Sequence, residues 1–220
     1  MLKFILFSLL LSTSAFAHSF LPQKIQLDFS YVLVPSIEEV EYLETLENFT
    51  QFASKKFSVP FTIDSQWDVD WINALAYVTE EGAHIAMFGG MARAPYMDRD
   101  GLELILCHEL GHHLAGPPLK KKSAWASAEG QADYFATNSC LKELWKDDPE
   151  NFKARSLEAS KNVIKMIAVV SEDVLPDIAT PDPLIVQETE LDYPSLQCRL
   201  DTFVAGTFNS SRPKCWYFEL

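Results

Sequence analysis

The chain has 220 residues, 48% of them hydrophobic, which suits one folded domain and excludes a disordered or fibrous polymer. Its formal net charge is −13, or −14 without Lys3. That balance argues against nucleic acid and anionic membrane surfaces as partners, since both require basic patches.

The first residues, MLKFILFSLLLSTSAFA, read as a signal peptide. Lys3 gives a short positive region, Phe4 to Leu11 an apolar core too short to span a bilayer, and Ala15-Phe16-Ala17 a small-x-small cleavage signal. The mature protein is expected to begin at His18, in the periplasm or outside the cell, as a single domain over 18–220 with no stable membrane insertion. Residues 24–35, KIQLDFSYVLVP, alternate apolar and polar side chains and predict a strand ended by Pro35. Ser36-Ile37-Glu38-Glu39 forms a capping box. It opens a helix reaching about Phe57, with Val40, Leu43, Leu46 and Phe49 at helical spacing. Strands are predicted over 71–79 and 84–92, joined by a hairpin turn, with Gly89 and Gly90 ending or bulging the second.

Asp98 to Gly101 open a helix that carries LILCHELGHHL and stops at Gly116-Pro117-Pro118. Lys120 to Lys122 read as a solvated turn. Helices are expected over 123–145 and 148–170. From 171 to 220 the chain is Pro-rich and contains two cysteines, and 176–194 has no helical period, so an extended surface segment is predicted there. Strands come first and helices follow, an α+β order. Four cysteines lie beyond the signal segment: Cys107, Cys140, Cys198 and Cys215. In an oxidising compartment some should pair, Cys198 with Cys215 being the first expectation, while Cys107 reads as a small buried thiol. Without a CxxC, a cysteine zinc cluster is not expected.

Three of the chain's five histidines fall within LILCHELGHHL. His108 and His112 are four apart, so on a helix they share one face, one turn above each other, and can reach one ion. With Glu109 they form HExxH, the pattern of two zinc ligands and a glutamate that activates water. His113 points about 100° away and reads as a packing residue. A catalytic zinc site takes three protein ligands and keeps one position open. The next helix offers Glu129 as the third ligand. One turn along, Asp133 is placed to accept the free N–H of a ligating imidazole. The break between the two helices lets the second fold back so that the two faces meet.

HELGHH followed by E-x-x-A-D resembles the gluzincin metallopeptidases of the HtpX and CAAX-prenyl-protease type. Asn73-Ala74, Gly82 and HIAMFGGMAR are similar to that family's Asn-Ala strand and its edge strand ending in glycine. Tyr193-Pro194 and Arg199 match its His-Pro and following Arg, with tyrosine in place of histidine. The likeness spans about residues 70–200, and the closeness of Glu129 to His112 leaves no room for membrane helices between them.

It implies a zincin-like fold: a small antiparallel or mixed sheet with an edge strand, an HExxH helix and an ExxxD helix. It also implies one zinc ion per chain on His108, His112 and Glu129, with Glu109 as general base and Asp133 behind the ligands. Tyr193 and Arg199 would be further catalytic residues, and Asn73, His84, Ala86 and Phe88 would line a peptide-binding strand. The expected activity is that of an endopeptidase acting on proteins or peptides. The alternative is a zinc-bearing envelope protein that binds clients, or one kept latent by segment 176–194, with little turnover.

Overall fold

The computed structural model describes residues 17–22, 25–26, 36–57, 60–121 and 123–219. The expected signal segment, apart from Ala17, and most of the 24–35 strand lie outside them.

The chain forms strands β1 (His18–Ser19), β2 (Ile25–Gln26), β3 (Phe61–Gln66), β4 (Trp71–Ile72), β5 (Ala74–Thr79) and β6 (Gly82–Phe88). Four of them make a mixed sheet in the order β1-β5-β6-β3, while β2 and β4 pair separately. β5 and β6 form the expected antiparallel hairpin, with Thr79 opposite Gly82, and β3 lies parallel to β6. The fold is therefore mixed α and β around a small open sheet. Two expectations change here. The 71–79 strand is broken at Asn73, and β6 is an interior strand paired on both sides, not an edge. The outer side of β5 takes β1, with His18 opposite Ala76.

The helices are α1 (Glu39–Ser54), α2 (Gly89–Arg93), α3 (Arg99–Leu114), α4 (Glu129–Phe135), α5 (Leu141–Leu144), α6 (Phe152–Val170) and α7 (Leu196–Thr207). A π-helical turn, Ala136–Cys140, joins α4 to α5. α1 begins without the expected capping box: Glu38 is its cap and makes no side-chain cap bond, because Ser36 Oγ donates instead to Ala94 O. Its buried face is Tyr42, Thr45, Leu46, Phe49 and Ala53, whereas Val40 and Leu43 are exposed. α3 starts as expected, with the Asp98 carboxylate accepting from Gly101 N.

Every residue of α3 from Gly101 to His112 is buried. The helix is enclosed all round because α1, the sheet, α4 and α6 all pack on it. The helix expected over 123–145 begins only at Glu129, since Leu119 bridges to Ser127 and holds that stretch extended. Segment 176–194 contains no helix or strand, as expected, and beyond it the chain forms α7, capped by Ser195 through Cys198 N. Among the described residues no helix is long and apolar enough to cross a membrane.

Both cysteine pairs are oxidised: Cys198–Cys215, as expected, and Cys107–Cys140, which corrects the free-thiol reading of Cys107. The sequence places Cys107 inside a helix, but the fold brings the π turn against it. Two disulfides point to an oxidising, exported environment.

Two close approaches set where α4 lies, one against α3 and one against Trp216. A Cβ on Gly111 would lie 2.9 Å from Ala132 Cα, and one on Gly130 would lie 2.3 Å from the Trp216 ring. Gly111→Ala should therefore push α4 away, costing about 1–3 kcal/mol of stability by denaturant unfolding. Replacing Cys107 and Cys140 by serine should cost about 3–4 kcal/mol, the loop-closure value for their 33-residue separation.

Candidate metal centre

α3 presents His108 and His112 one turn apart, their rings edge to face with centroids 4.8 Å apart. The chain returns after Gly116 through a short ladder: Ser127 N donates to His112 O and Ala128 N to Pro118 O. This delivers Glu129, the first residue of α4, to the two histidines. His108 Nε2 is 3.2 Å and His112 Nε2 is 3.6 Å from the Glu129 carboxylate oxygens.

The other ring nitrogens are already committed. His108 Nδ1 bonds Asp133 Oδ1 at 2.7 Å, and His112 Nδ1 bonds the Ser127 carbonyl at 2.9 Å. Each acceptor takes an N–H, which fixes the tautomer and turns both Nε2 lone pairs inward. His108, Glu109, His112, Glu129 and Asp133 are all 0% exposed. Among the described residues, His108 Nε2, His112 Nε2 and both oxygens of Glu129 and of Glu109 have no hydrogen-bond partner. Buried polar atoms left in this state cost about 1–3 kcal/mol each. The donor atoms of His108, His112 and Glu129 lie within 4.8 Å of one another, the grouping that could hold a metal ion. Two imidazole nitrogens and a carboxylate suit a divalent metal, and one cation satisfies all three at once.

The buried titrating groups of the cluster are pushed in different directions. Burial works against a His108 cation, but Asp133 and Glu129 outweigh it and raise its pKa to about 9. Burial lowers His112 to about 3. The carboxyl of Glu129, though buried, is held well below the usual carboxylate range by His112, His108 and Lys120. At Glu109 burial, with Glu129 nearby, outweighs His108, Lys120 and Arg199 and pushes the carboxyl up to about 8. Asp133 is anionic despite its burial because Arg199 grips both its oxygens, each at 2.9 Å.

Among the residues that the family likeness brought forward, Asn73, Tyr193 and Arg199 meet at one place. Arg199 Nη1 donates to Phe20 O, and Tyr193 Oη donates to Ser19 O at 2.6 Å. The Asn73 amide accepts from Leu21 N and donates to Leu21 O. His84, Ala86 and Phe88 are not part of this grouping. They sit on interior strand β6, where His84 stacks on Tyr77 and gives its carbonyl to His113, and where no edge is open to a peptide. His113 stacks on Trp125 and packs, as expected.

Segment 176–194 bonds along α7 and the C-terminal turn, through Asp177 to Gln197, Asp182 to Asp201 and Val186 to Lys214, and near its end Tyr193 reaches the site.

Two features escaped the sequence reading. Lys120, read as part of a solvated turn, is buried, and its ammonium forms an ion pair with Glu129 Oε1 and lies over the Tyr193 ring. The contact with Glu129 lacks hydrogen-bond alignment. Residues 18–21 were read as nothing more than a new N-terminus. No local spacing signals either feature.

No family model, curated protein or solved structure matches the chain.

Asp133→Asn tests the support behind His108. It should weaken divalent-metal binding 10- to 100-fold in a competition titration, because the amide no longer fixes the imidazole as an anion does. It should also cost about 3–5 kcal/mol of stability, by leaving Arg199 buried without its counter-ion.

Proposed function

We propose that this chain is an exported zinc-dependent endopeptidase with a zincin-like active site, akin to the gluzincins, released by signal cleavage after Ala17 and acting on protein or peptide substrates. One observation carries the reading. Three buried, converging donor groups on His108, His112 and Glu129, whose inward atoms make no hydrogen bond, stand beside a fourth buried carboxylate that makes none, Glu109. Metal storage or structural binding has no use for that fourth group, and hydrolysis needs it.

His108 and His112 would hold the ion through Nε2, and Glu129 through its carboxylate. Bound zinc supplies Lewis acidity, polarising a carbonyl and lowering the pKa of water to about 7. Asp133 and the Ser127 carbonyl orient the two imidazoles. Glu109 takes a proton from the attacking water on a carboxylate oxygen and returns it to the departing amide nitrogen. Tyr193, whose hydroxyl already donates to a peptide carbonyl, offers the same bond to negative charge building on a substrate oxygen. The Arg199 guanidinium positions Asp133 and donates to the next carbonyl along.

The protein purified after export and its Glu109→Gln variant should each bind one zinc by elemental analysis. Only the parent should cleave an unfolded protein such as casein, with the variant slower by about 10²–10⁴-fold, the range for loss of a general base. One zinc in both and cleavage by neither would favour the zinc-bearing binding protein. No zinc in either would remove the reading altogether.

A further inference from the structure

Residues 18–21 run across the cluster, extended at His18–Ser19 and bent from Phe20 on, and the groups holding them are those that would grip a peptide. His18 and Ser19 pair with β5 as an added strand, and Phe20 N continues the ladder to Ala74 O at 3.0 Å. Three successive carbonyls each meet a different donor: Ser19 O takes Tyr193 Oη, Phe20 O takes Arg199 Nη1, and Leu21 O takes the Asn73 amide. The side chains straddle the metal ligands. The His18 ring is 5.8 Å from that of His112, and the Phe20 ring stands edge to face with that of His108 at 4.9 Å. Ser19 lies between them. Tyr193, which holds the Ser19 carbonyl, has its ring under the Lys120 ammonium that pairs with Glu129. That carbonyl thus lies at the ligand cluster, between the His18 and Phe20 rings.

We propose that the chain is its own first substrate and that the peptide bond presented for hydrolysis is Ser19–Phe20. This rests on the peptidase reading above. Water adds across the bond: its oxygen joins the Ser19 carbonyl carbon, the C–N bond breaks, and Glu109 carries the proton to the Phe20 nitrogen. The products are a Ser19 carboxylate and a Phe20 ammonium group. Phe20 and Leu21 are in the core and stay with the fold, while His18 and Ser19 leave the side of the cluster beside His112 and Trp125. Cutting also removes the β1–β5 pairing and the Tyr193 bond, which opens the side of the cluster beside His112 to an outside substrate. Phe20 further marks the position after the scissile bond as one that takes a large aromatic side chain.

The test uses the full exported chain, stripped of metal and then given one equivalent of Zn²⁺, with intact mass and N-terminal analysis over time. The expected result is a new terminus at Phe20, formed at a rate independent of protein concentration, with casein cleavage lagging behind it. Glu109→Gln should keep the Ser19–Phe20 bond. In that variant the Phe20 and Leu21 amides should exchange hydrogen at least about 100-fold more slowly than in a free peptide of residues 17–22. A chain that binds zinc and cleaves casein yet keeps Ser19–Phe20 whole overturns the self-cleavage and leaves the peptidase reading standing. Unprotected Phe20 and Leu21 amides overturn it whatever the activity. A chain that binds no zinc, or binds it and cuts nothing, overturns both.

Discussion

The structure depends on one buried carboxylate. Asp133 accepts from His108 Nδ1 on one side and from two nitrogens of Arg199 on the other, and the same guanidinium reaches the Phe20 carbonyl. This arrangement ties together α3, α4, α7 and the N-terminal strand, whose participating residues are 66 positions apart at Asp133–Arg199 and 179 apart at Phe20–Arg199. A buried ion pair gains little net stability over an apolar one, because desolvation cancels most of the attraction. Losing one partner is costly, however, since the other then keeps its charge without water. The network therefore contributes mainly specificity: it permits one relative placement of four elements, the one that brings Glu129 to the two histidines.

Charge explains why the cluster calls for a cation. Glu129 and Asp133 are both anionic in a region with no solvent access, and Arg199 is committed to Asp133. What remains for Glu129 is Lys120 and whatever charge His108 carries. A divalent ion on both Nε2 atoms and the Glu129 carboxylate supplies that charge without protonating an imidazole, and it satisfies the atoms that otherwise have no partner. Lys120 is then the residue whose position responds to metal, as its ammonium shares the Glu129 carboxylate.

How much of this was legible in the sequence follows from the range of each contact. His108 and His112, then Glu129 and Asp133, stand four residues apart on helices, with Glu109 next to the first, so local spacing reveals both the faces and their chemistry. Arg199 was visible through family likeness alone, and α7, which carries it, was hidden beside a proline-rich stretch despite the Ser195 cap. The Cys107–Cys140 bond depends on a π turn that periodicity does not announce. On α1, apolar spacing picked Val40 and Leu43, yet Tyr42 is buried in their place because its hydroxyl finds the Met87 carbonyl on β6. β6 itself reads like an edge strand, and only the parallel pairing with β3, some twenty residues earlier, makes it interior. Lys120 and residues 18–21 act through partners far away along the chain, and nothing in their neighbours could reveal them.

The two disulfides close the argument, because each begins at the residue before a site residue. Cys107 precedes His108 and is bonded to the π turn that continues α4, while Cys198 precedes Arg199 and is bonded to the segment carrying Trp216. Trp216 in turn lies against Gly130, next to Glu129. One bridge thus ties the histidine helix to the helix bearing the carboxylates, and the other ties the arginine helix to a ring that backs the same carboxylates. Loop-closure entropy alone would be served by bridges anywhere in the chain. Their placement instead fixes the three helices whose relative positions the Asp133 network requires. A buried array of charges tolerates little misalignment, so the covalent links fall where a small displacement would cost most.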